Sequence, residues 1–491
     1  MLNVLFITSL AILSSVSRLS ETKEDWYLAN ETIKITLSKE TCRITDMFLK
    51  EKNFISRPCS VVVSNGTQDE AGIILEQYSD DSSPRDKRVY VRKEYSDKQI
   101  EERFQVNNTR VYWEVICETK SAKDHEVRID FIIPLAGNIN HMFTPAEDMP
   151  SIFKNTTTTK IIYRQNTYLP IITLYDTTSD LGISFIAPFE IAKPSLVFSI
   201  EQGNLIVTYH HLRSTSKKEA KAALMLVPHE GDWRPGLAFL LNEYPEYFHP
   251  AAEDTEINEG LFYMSFPFKK EINVREMYNR GVKWVELTGY FPFYGLYVPK
   301  SSEWGIVFDS DDVSISRWEM SAGEKKNSYE KMKIIINLWQ RYGIHVHQYF
   351  QSFEAWHQFA EKYFAGDIAL DRSGNPLRAW KYTNLMNPDP QNQWGQHIIG
   401  QATEIIKKYP EIDGIFYDRM DYKDYDCAHS DGITMLNHRP AYMLGFAQER
   451  INEILFDLFH RNMKCIWGNG PTSIEVCKNL DGIMAERKLR F

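Results

Sequence analysis

The sequence predicts an N-terminal antiparallel β-sandwich followed by a (β/α) barrel of the TIM type that is truncated after its sixth strand. The chain of 491 residues is longer than one ordinary hydrophobic core can organise, so at least two domains are expected. Its first half contains short apolar segments separated by turn residues, without helical patterns between them, which is typical of an antiparallel sandwich. Its second half alternates strand and helix patterns, which predicts a parallel sheet with right-handed crossovers.

The first 20 residues are predicted to be a secretory signal peptide. Residues 2–16 are nearly all apolar or small, and Ser17 and Ser20 offer small residues for cleavage. No later segment approaches the ~20 consecutive apolar residues of a membrane span, so stable membrane insertion is not expected. Four acceptor sequences for N-glycosylation fit export, at Asn30, Asn65, Asn107 and Asn155. We therefore predict a secreted or extracytoplasmic glycoprotein.

Composition narrows the range of functions. Apolar residues make up 43% of the chain and charged residues 25%, as in globular proteins. A formal charge of -10 provides no basic surface, so no nucleic-acid partner is predicted. The six cysteines form no Cys-x-x-Cys pair, which argues against a zinc site. A disulfide such as Cys42–Cys59 or Cys465–Cys477 is compatible with an oxidising compartment, and free buried thiols are the alternative.

Residues 21–230 are predicted to form the β-sandwich domain. Turn sequences such as Asn-Gly and Asp-Asp-Ser-Ser-Pro separate its strands, which are predicted at 33–37, 59–63, 89–93, 111–117, 127–133, 160–163, 181–187, 205–210 and 222–227. A connector helix and linker follow over residues 231–258. Apolar residues recur there at helical spacing before Pro250 ends the helix: Trp233, Leu237, Leu240, Leu241 and Tyr244.

Residues 259–491 are predicted to form the barrel domain. Its strands are predicted at 260–266, 282–288, 344–350, 412–418, 464–467 and 482–486, and its helical segments at 331–342, 356–363, 396–409, 442–461 and 474–478. Six strands are fewer than the eight of a closed barrel, and the last ends five residues before Phe491. Because an open edge would expose unpaired backbone groups, either further strands escape the sequence pattern or the chain is a truncated product of a longer protein, and truncation is favoured. No glycine-rich phosphate loop follows any strand, which argues against nucleotide binding.

The carboxyl ends of the parallel strands are expected to meet at one rim, where the loops of a barrel carry its chemistry. Two carboxylates lie directly at strand ends there, Asp418 on the fourth strand and Glu486 on the sixth. Such a pair is the minimum apparatus for glycoside hydrolysis, because one carboxylate attacks the anomeric carbon while the other protonates the leaving oxygen. The other rim residues predicted to contact substrate are Glu286, His347, Tyr349, Asp421, His429, Asp431, Trp467 and Asn469.

The candidates also have simpler interpretations. Asp418 beside Arg419, and Glu486 beside the cations that follow it, can form structural ion pairs. His345 and His347 share one strand face, as in a metal-assisted hydrolase of another kind, but the sequence supplies no evident third ligand.

A family resemblance rests on the same segments. The sequence Asp-Gly-Ile-Phe-Tyr-Asp-Arg-Met-Asp-Tyr at 413–422, with Ala-His-Ser-Asp-Gly at 428–432 and Asp-Gly-Ile-Met-Ala-Glu at 481–486, resembles secreted TIM-barrel proteins related to the α-galactosidase and α-glucosidase type of glycoside hydrolase. The resemblance spans about 230–491 and implies a β-sandwich before the barrel, Asp418 as nucleophile and Glu486 as acid/base. The chain departs from the α-galactosidase pattern in carrying Phe416 where that pattern has lysine, and a glutamate where its acid/base is usually aspartate.

The sequence therefore predicts a retaining glycoside hydrolase that acts on a carbohydrate substrate without a metal or other cofactor. The alternative is a carbohydrate-binding protein that has lost turnover, for which the incomplete barrel is the main argument.

Overall fold

The computed structural model describes residues 17–64, 72–83, 86–147, 149–154, 156–249, 260–265, 273–306, 326–380, 382–478 and 480–484. Among the helices of this described part, none combines the length and the apolar character that a membrane-spanning segment requires. All six cysteines are free thiols. Most of the predicted signal peptide, two of the glycosylation sequences and the linker after the connector helix lie outside the described residues, as does Glu486.

The N-terminal half is built from antiparallel strands, as the sequence predicts. The strands are β1 (Arg18–Glu21), β2 (Asp25–Ala29), β3 (Ile33–Ser38), β4 (Ile44–Leu49), β5 (Lys52–Asn53), β6 (Ser60–Ser64), β7 (Ile73–Asp80), β8 (Lys87–Glu94), β9 (Lys98–Val106), β10 (Val111–Thr119), β11 (His125–Pro134), β12 (His141–Phe143), β13 (Ser151–Ile152), β14 (Thr159–Ile162), β15 (Ile171–Asp176), β16 (Leu181–Ile186), β17 (Ser195–Glu201), β18 (Asn204–Ser214) and β19 (Ala220–Glu230).

Three sheets share the core of this half. Strands β1–β5 form one sheet, and a second has the order β13-β12-β15-β16-β19-β10-β9-β8-β7. The third contains β14, β17, β18, β11 and β6. Trp113 of the second sheet packs edge-on against Phe131 of the third at 5.0 Å between ring centroids. Tyr209 of β18 donates its hydroxyl hydrogen bond to the carbonyl of Ala223 on β19 at 2.7 Å. The second and third sheets therefore pack face to face as in a sandwich.

The C-terminal half contains the helices and the parallel strands. The helices are α1 (Arg234–Glu243), α2 (Val274–Asn279), α3 (Tyr329–Gln340), α4 (His357–Tyr363), α5 (Gln393–Lys408) and α6 (Leu444–His460). The strands are β20 (Leu261–Ser265), β21 (Val282–Leu287), β22 (Glu303–Gly305), β23 (Lys326–Ser328), β24 (His345–Phe350), β25 (Glu354–Trp356), β26 (Thr383–Leu385), β27 (Gly414–Tyr417), β28 (Tyr425–Asp426), β29 (Thr434–Leu436), β30 (Arg439–Met443), β31 (Cys465–Asn469) and β32 (Gly482–Met484).

Six of these strands pair in parallel in the order β20-β21-β24-β27-β31-β32, which agrees with the predicted alternation of strands and helices. Helix α5 has a face of buried residues at helical spacing, including Trp394, Ile398 and Ile405, which share one apolar cluster with the strands of this sheet. Within the described residues these six strands form a partial, half-barrel sheet, and the truncated TIM-type barrel that the sequence predicts is not confirmed beyond it.

The loop after β27 departs from the sequence prediction. Strands β29 and β30 form a hairpin, and β29 pairs with β18 through Leu212 and Thr434, so late residues extend the third antiparallel sheet. The helix predicted at 442–461 begins at Leu444 because Arg439–Met443 is extended in this hairpin. The loop therefore ties the parallel half to the antiparallel half.

Candidate active site

The parallel strands present an aromatic inner face. Because paired residues of neighbouring parallel strands share a face, Trp284, His347, Phe416 and Trp467 lie on the same side of the sheet. The rings of Trp284 and Trp467 lie 4.4 Å apart, and the His347 ring meets Trp284 edge-on at 5.4 Å. Polar groups follow this packed face at the carboxyl ends of the strands.

Asp418 stands at that end, directly after β27, the fourth strand of the parallel sheet. The neighbouring strands supply a hydrogen-bond donor to each of its oxygens. The Tyr349 hydroxyl of β24 donates to Oδ2 and the Asn469 amide of β31 donates to Oδ1, each at 2.7 Å. The structure thus brings together three of the residues predicted from the sequence, and both donors are uncharged.

The surroundings of Asp418 act on its pKa in opposite directions. Burial raises the pKa of the carboxyl, and the hydrogen bonds from Tyr349 and Asn469 and the charge of Arg419 lower it, with a net rise. Burial raises the pKa of Tyr349 well above its ordinary value, so the phenol keeps its proton and remains a donor at neutral pH. The site therefore holds a carboxylate that is partly desolvated and fixed in orientation.

Arg419 follows Asp418 but its guanidinium pairs elsewhere. Its Nε donates to Oδ1 of Asp421 at 2.8 Å and its Nη1 to Oε1 of Glu354 at 3.2 Å. The guanidinium also lies over the ring of Tyr422 at 4.6 Å. Asp418 accordingly forms no ion pair with another described residue. The structural ion pair between Asp418 and Arg419, which the sequence allowed as an alternative, is therefore not formed.

Glu354 is the residue that the sequence interpretation missed. It opens β25, four residues beyond the end of β24, and is completely buried. Tyr422 donates its hydroxyl hydrogen bond to Glu354 Oε1 at 2.5 Å. Burial raises the pKa of Glu354 to about 7; Arg419 and Tyr422 lower it, and the negative charge of Asp418 raises it. The sequence feature that could have identified Glu354 is its charge a few residues after a predicted strand. The sequence does not reveal that this glutamate is buried.

Other predicted residues lie within the packed face. Glu286 and His347 are completely buried, and Thr288 donates a hydrogen bond to Glu286. Burial lowers the pKa of His347 to about 4. His345 contacts Asp413 through Nδ1 at 3.3 Å, and in the described part of the chain no three metal-binding side chains gather around one point.

The loop residues make their contacts within the loop region. Asp431 accepts hydrogen bonds from the backbone amides of Thr434 at 2.6 Å and Met443 at 2.9 Å. His429 contacts Asp426 at 2.5 Å and the carbonyl of Gly366 at 2.8 Å. These contacts fix the path of the loop that carries Asp421 and Tyr422 past the strand ends.

No protein-family model matches the sequence, and no curated protein matches it either. Solved structures do share the fold. The α-N-acetylgalactosaminidase NagBb from Bifidobacterium bifidum aligns over 95% of this chain and 78% of its own, with 11% identity and a TM-score of 0.56. The GH36 α-galactosidase AgaB from Geobacillus stearothermophilus aligns over 95% and 75%, with 9% identity and a TM-score of 0.57. The galactosidase domain of the α-galactosidase-sucrose kinase AgaSK aligns over 95% and 75%, with 10% identity and a TM-score of 0.53.

These alignments extend over both halves of the chain. The order of antiparallel sheets followed by parallel strands is therefore the fold of these glycosidases, the fold type that the resemblance at 413–422 implied.

Proposed function

We propose that the chain is an exported glycoside hydrolase related to the α-galactosidase type, with Asp418 as the nucleophile of a retaining mechanism and Glu486 as the acid/base. The observation that carries the proposal is the setting of Asp418, a carboxylate at the carboxyl end of a parallel strand with an uncharged donor on each oxygen. The fold shared with three glycosidases supports the same reaction class.

The proposed mechanism assigns two steps to the site. Asp418 attacks the anomeric carbon while Glu486 gives a proton to the leaving oxygen, and water then releases the sugar with Glu486 as base. The hydrogen bonds from Tyr349 and Asn469 hold the attacking carboxylate in one orientation. Less conformational entropy is therefore lost when the transition state is reached. Retention requires the two carboxyl groups to lie about 5–5.5 Å apart, whereas inversion requires about 6.5–9.5 Å.

Hydrolysis of a panel of aryl α- and β-glycosides tests the proposal. We expect the protein to hydrolyse members of this panel and Asp418→Asn to lose at least about a thousandfold in kcat, because a neutral amide cannot form the glycosyl-enzyme bond. The exposed Glu453→Gln on α6 is the control. Carbohydrate binding by the folded protein without any hydrolysis would instead support the inactive binding protein.

The role of Glu486 is tested by the leaving group. Glu486→Gln is expected to slow substrates with poor leaving groups strongly and those with good leaving groups much less, since only the former need a proton. Equal loss on both kinds of substrate would contradict an acid/base role.

A further inference from the structure

Glu354 is a buried carboxyl that is only half satisfied. Its Oε1 accepts hydrogen bonds from Arg419 and Tyr422, whereas its buried Oε2 has no hydrogen-bond partner among the described residues. Burial of a carboxylate with an unpaired oxygen destabilises a fold, and an ion pair of this kind contributes little net stability. The stability of the half-barrel therefore does not explain the presence of this glutamate.

Arg419 adopts an unusual backbone conformation beside the nucleophile candidate. Its φ of +59° lies in the left-handed region, which costs about 1–2 kcal/mol for a residue with a side chain. In this conformation the guanidinium reaches Glu354 and Asp421 and lies over the rings of Tyr422 and Trp380. The cation adjacent to Asp418 in sequence is thus held by two other carboxylates.

We propose that Glu354 is a positioning residue that anchors Arg419 away from Asp418 and so keeps the Asp418 carboxylate free of an ion pair. The inference rests on the proposed function, in which Asp418 attacks the substrate. If the charge of Glu354 is removed, only Asp421 still holds the guanidinium, through Nε, and the released Nη1 end can turn to Asp418. A carboxylate that is neutralised by a direct ion pair is a weaker nucleophile.

The anchor depends on pH because Glu354 titrates. The groups acting on it are Arg419, Tyr422, Gln351 and Asp418. The pKa of Glu354 is about 7. The side chain is therefore ionised and pairs with Arg419 at higher pH, and the fraction of molecules with this ion pair falls as the pH drops below 7. Wild-type protein well below pH 7 should therefore behave like a variant that carries a neutral residue at this position.

The decisive experiment compares Glu354→Gln with wild type across pH. Gln preserves the shape of the side chain and removes its charge. We expect kcat on aryl glycosides to be lower by on the order of tenfold at pH 8, and the two proteins to converge below about pH 6. Glu453→Gln, an exposed glutamate on α6, should match wild type throughout. A ratio that does not change with pH would overturn the proposal.

Comparing substrates with good and poor leaving groups distinguishes a positioning role of Glu354 from a role as proton donor. If Glu354 positions Arg419, Glu354→Gln slows substrates with good and poor leaving groups equally. If the loss is confined to poor leaving groups, Glu354 is a proton donor and the positioning role is wrong.

Two further variants keep the inference testable. Arg419→Gln, which removes the cation to be anchored, should keep kcat at pH 8 within about threefold of wild type, and the double variant with Glu354→Gln should regain that rate. A loss in Arg419→Gln as large as that in Glu354→Gln would contradict the anchoring role.

A crystal structure of Glu354→Gln at pH 8 provides a readout that needs no turnover. We expect the Arg419 guanidinium within about 4 Å of an Asp418 oxygen, the range of an ion pair. An unmoved guanidinium refutes the inference and leaves the proposed function standing, whereas full activity of Asp418→Asn refutes the proposed function and with it the kinetic role of the anchor.

Discussion

The donors around Asp418 set its chemistry at the scale of single residues. Charged donors would hold the carboxylate ionised but would also bind the electron pair that it must give to the anomeric carbon. Uncharged donors also orient the carboxylate, but they form weaker hydrogen bonds and so leave its electron pair more available for attack. Tyr349 and Asn469 supply such donors from the strands on either side of β27.

Tyr349→Phe tests this arrangement. The hydrogen bond from Tyr349 stabilises the ionised form, so its loss should raise the pKa of Asp418 further. Because attack requires the ionised form, the acidic limb of the kcat/KM profile should move to higher pH by about one unit, the equivalent of one hydrogen bond to a charged group. Tyr290→Phe, which removes a buried hydroxyl bonded to Ser265, is the control and should leave the limb in place. A shift to lower pH would contradict the assigned hydrogen bond.

The sequence indicated these residues because each lies at the end of a strand with a clear apolar pattern. Asp418 and Asn469 directly follow the paired residues Tyr417 and Gly468. Tyr349 pairs with Phe416, two residues before Asp418 and on the same face, so the parallel register and the length of the tyrosine side chain bring the three together. Glu354 was not predicted as a site residue because it lies four residues beyond the end of its strand. Its contact with Arg419 joins positions 65 residues apart. A sequence pattern does not encode such a contact.

At the scale of elements, apolar buried faces led to most of the predicted strands, although β15 and β17 have such faces and were missed. Strand β9 shows one physical reason why a strand was missed. Its residues alternate between buried and partly exposed, but the buried face includes Lys98 and Glu102. Glu102 accepts hydrogen bonds from Lys93 at 2.7 Å and from the Trp113 indole at 3.2 Å. Charged side chains that are satisfied by partners on other strands conceal the period-2 pattern.

The central strand β27 needs a glycine for its close packing. A Cβ placed on Gly414 would lie 2.1 Å from the carbonyl oxygen of Cys465 and 2.9 Å from the His347 ring. Gly414→Ala should therefore displace β27 from β31 and lower the free energy of unfolding by about 1–3 kcal/mol, or more if the sheet cannot adjust. Urea unfolding followed by tryptophan fluorescence measures the loss.

Gly400→Ala is the matched control for that strand variant. Gly400 lies on the exposed side of α5, and a Cβ there would meet no atom within 4 Å. Alanine should be neutral or stabilise the helix by about 0.5–1 kcal/mol. If both glycine variants changed stability equally, close packing at Gly414 would not be the cause.

At the scale of the whole molecule, the change from antiparallel to parallel strands was predictable from the spacing of helices along the chain. The packing of the two halves against each other was not predictable, because it depends on contacts between positions that are far apart in the sequence. Leu212 pairs with Thr434, and Tyr163 donates a hydrogen bond to Glu475. The Glu475 carboxylate lies 3.0 Å from Lys193 and 3.8 Å from Arg164, both from the antiparallel half.

This buried ion cluster should make the union of the halves sensitive to acid. Burial raises the pKa of Glu475, but Lys193 and Arg164 outweigh it and hold the pKa at about 2, below the ordinary 4.5. The carboxylate therefore stabilises the fold above about pH 4.5, and this contribution is lost as pH falls from 4.5 towards 2. Glu475→Gln leaves the Lys193 cation buried without its carboxylate and should lower the free energy of unfolding at pH 7 by about 3–5 kcal/mol.

Urea unfolding at a series of pH values measures this contribution. The difference between wild type and Glu475→Gln should be constant from pH 7 to about pH 5 and should shrink below pH 4.5, because the wild-type carboxylate then becomes protonated only in the unfolded chain. Glu453→Gln on the exposed face of α6 should follow wild type across the series. A difference that stayed unchanged down to pH 3 would mean that the charge of Glu475 does not join the two halves, and that other contacts, such as the pairing of β29 with β18, hold them together.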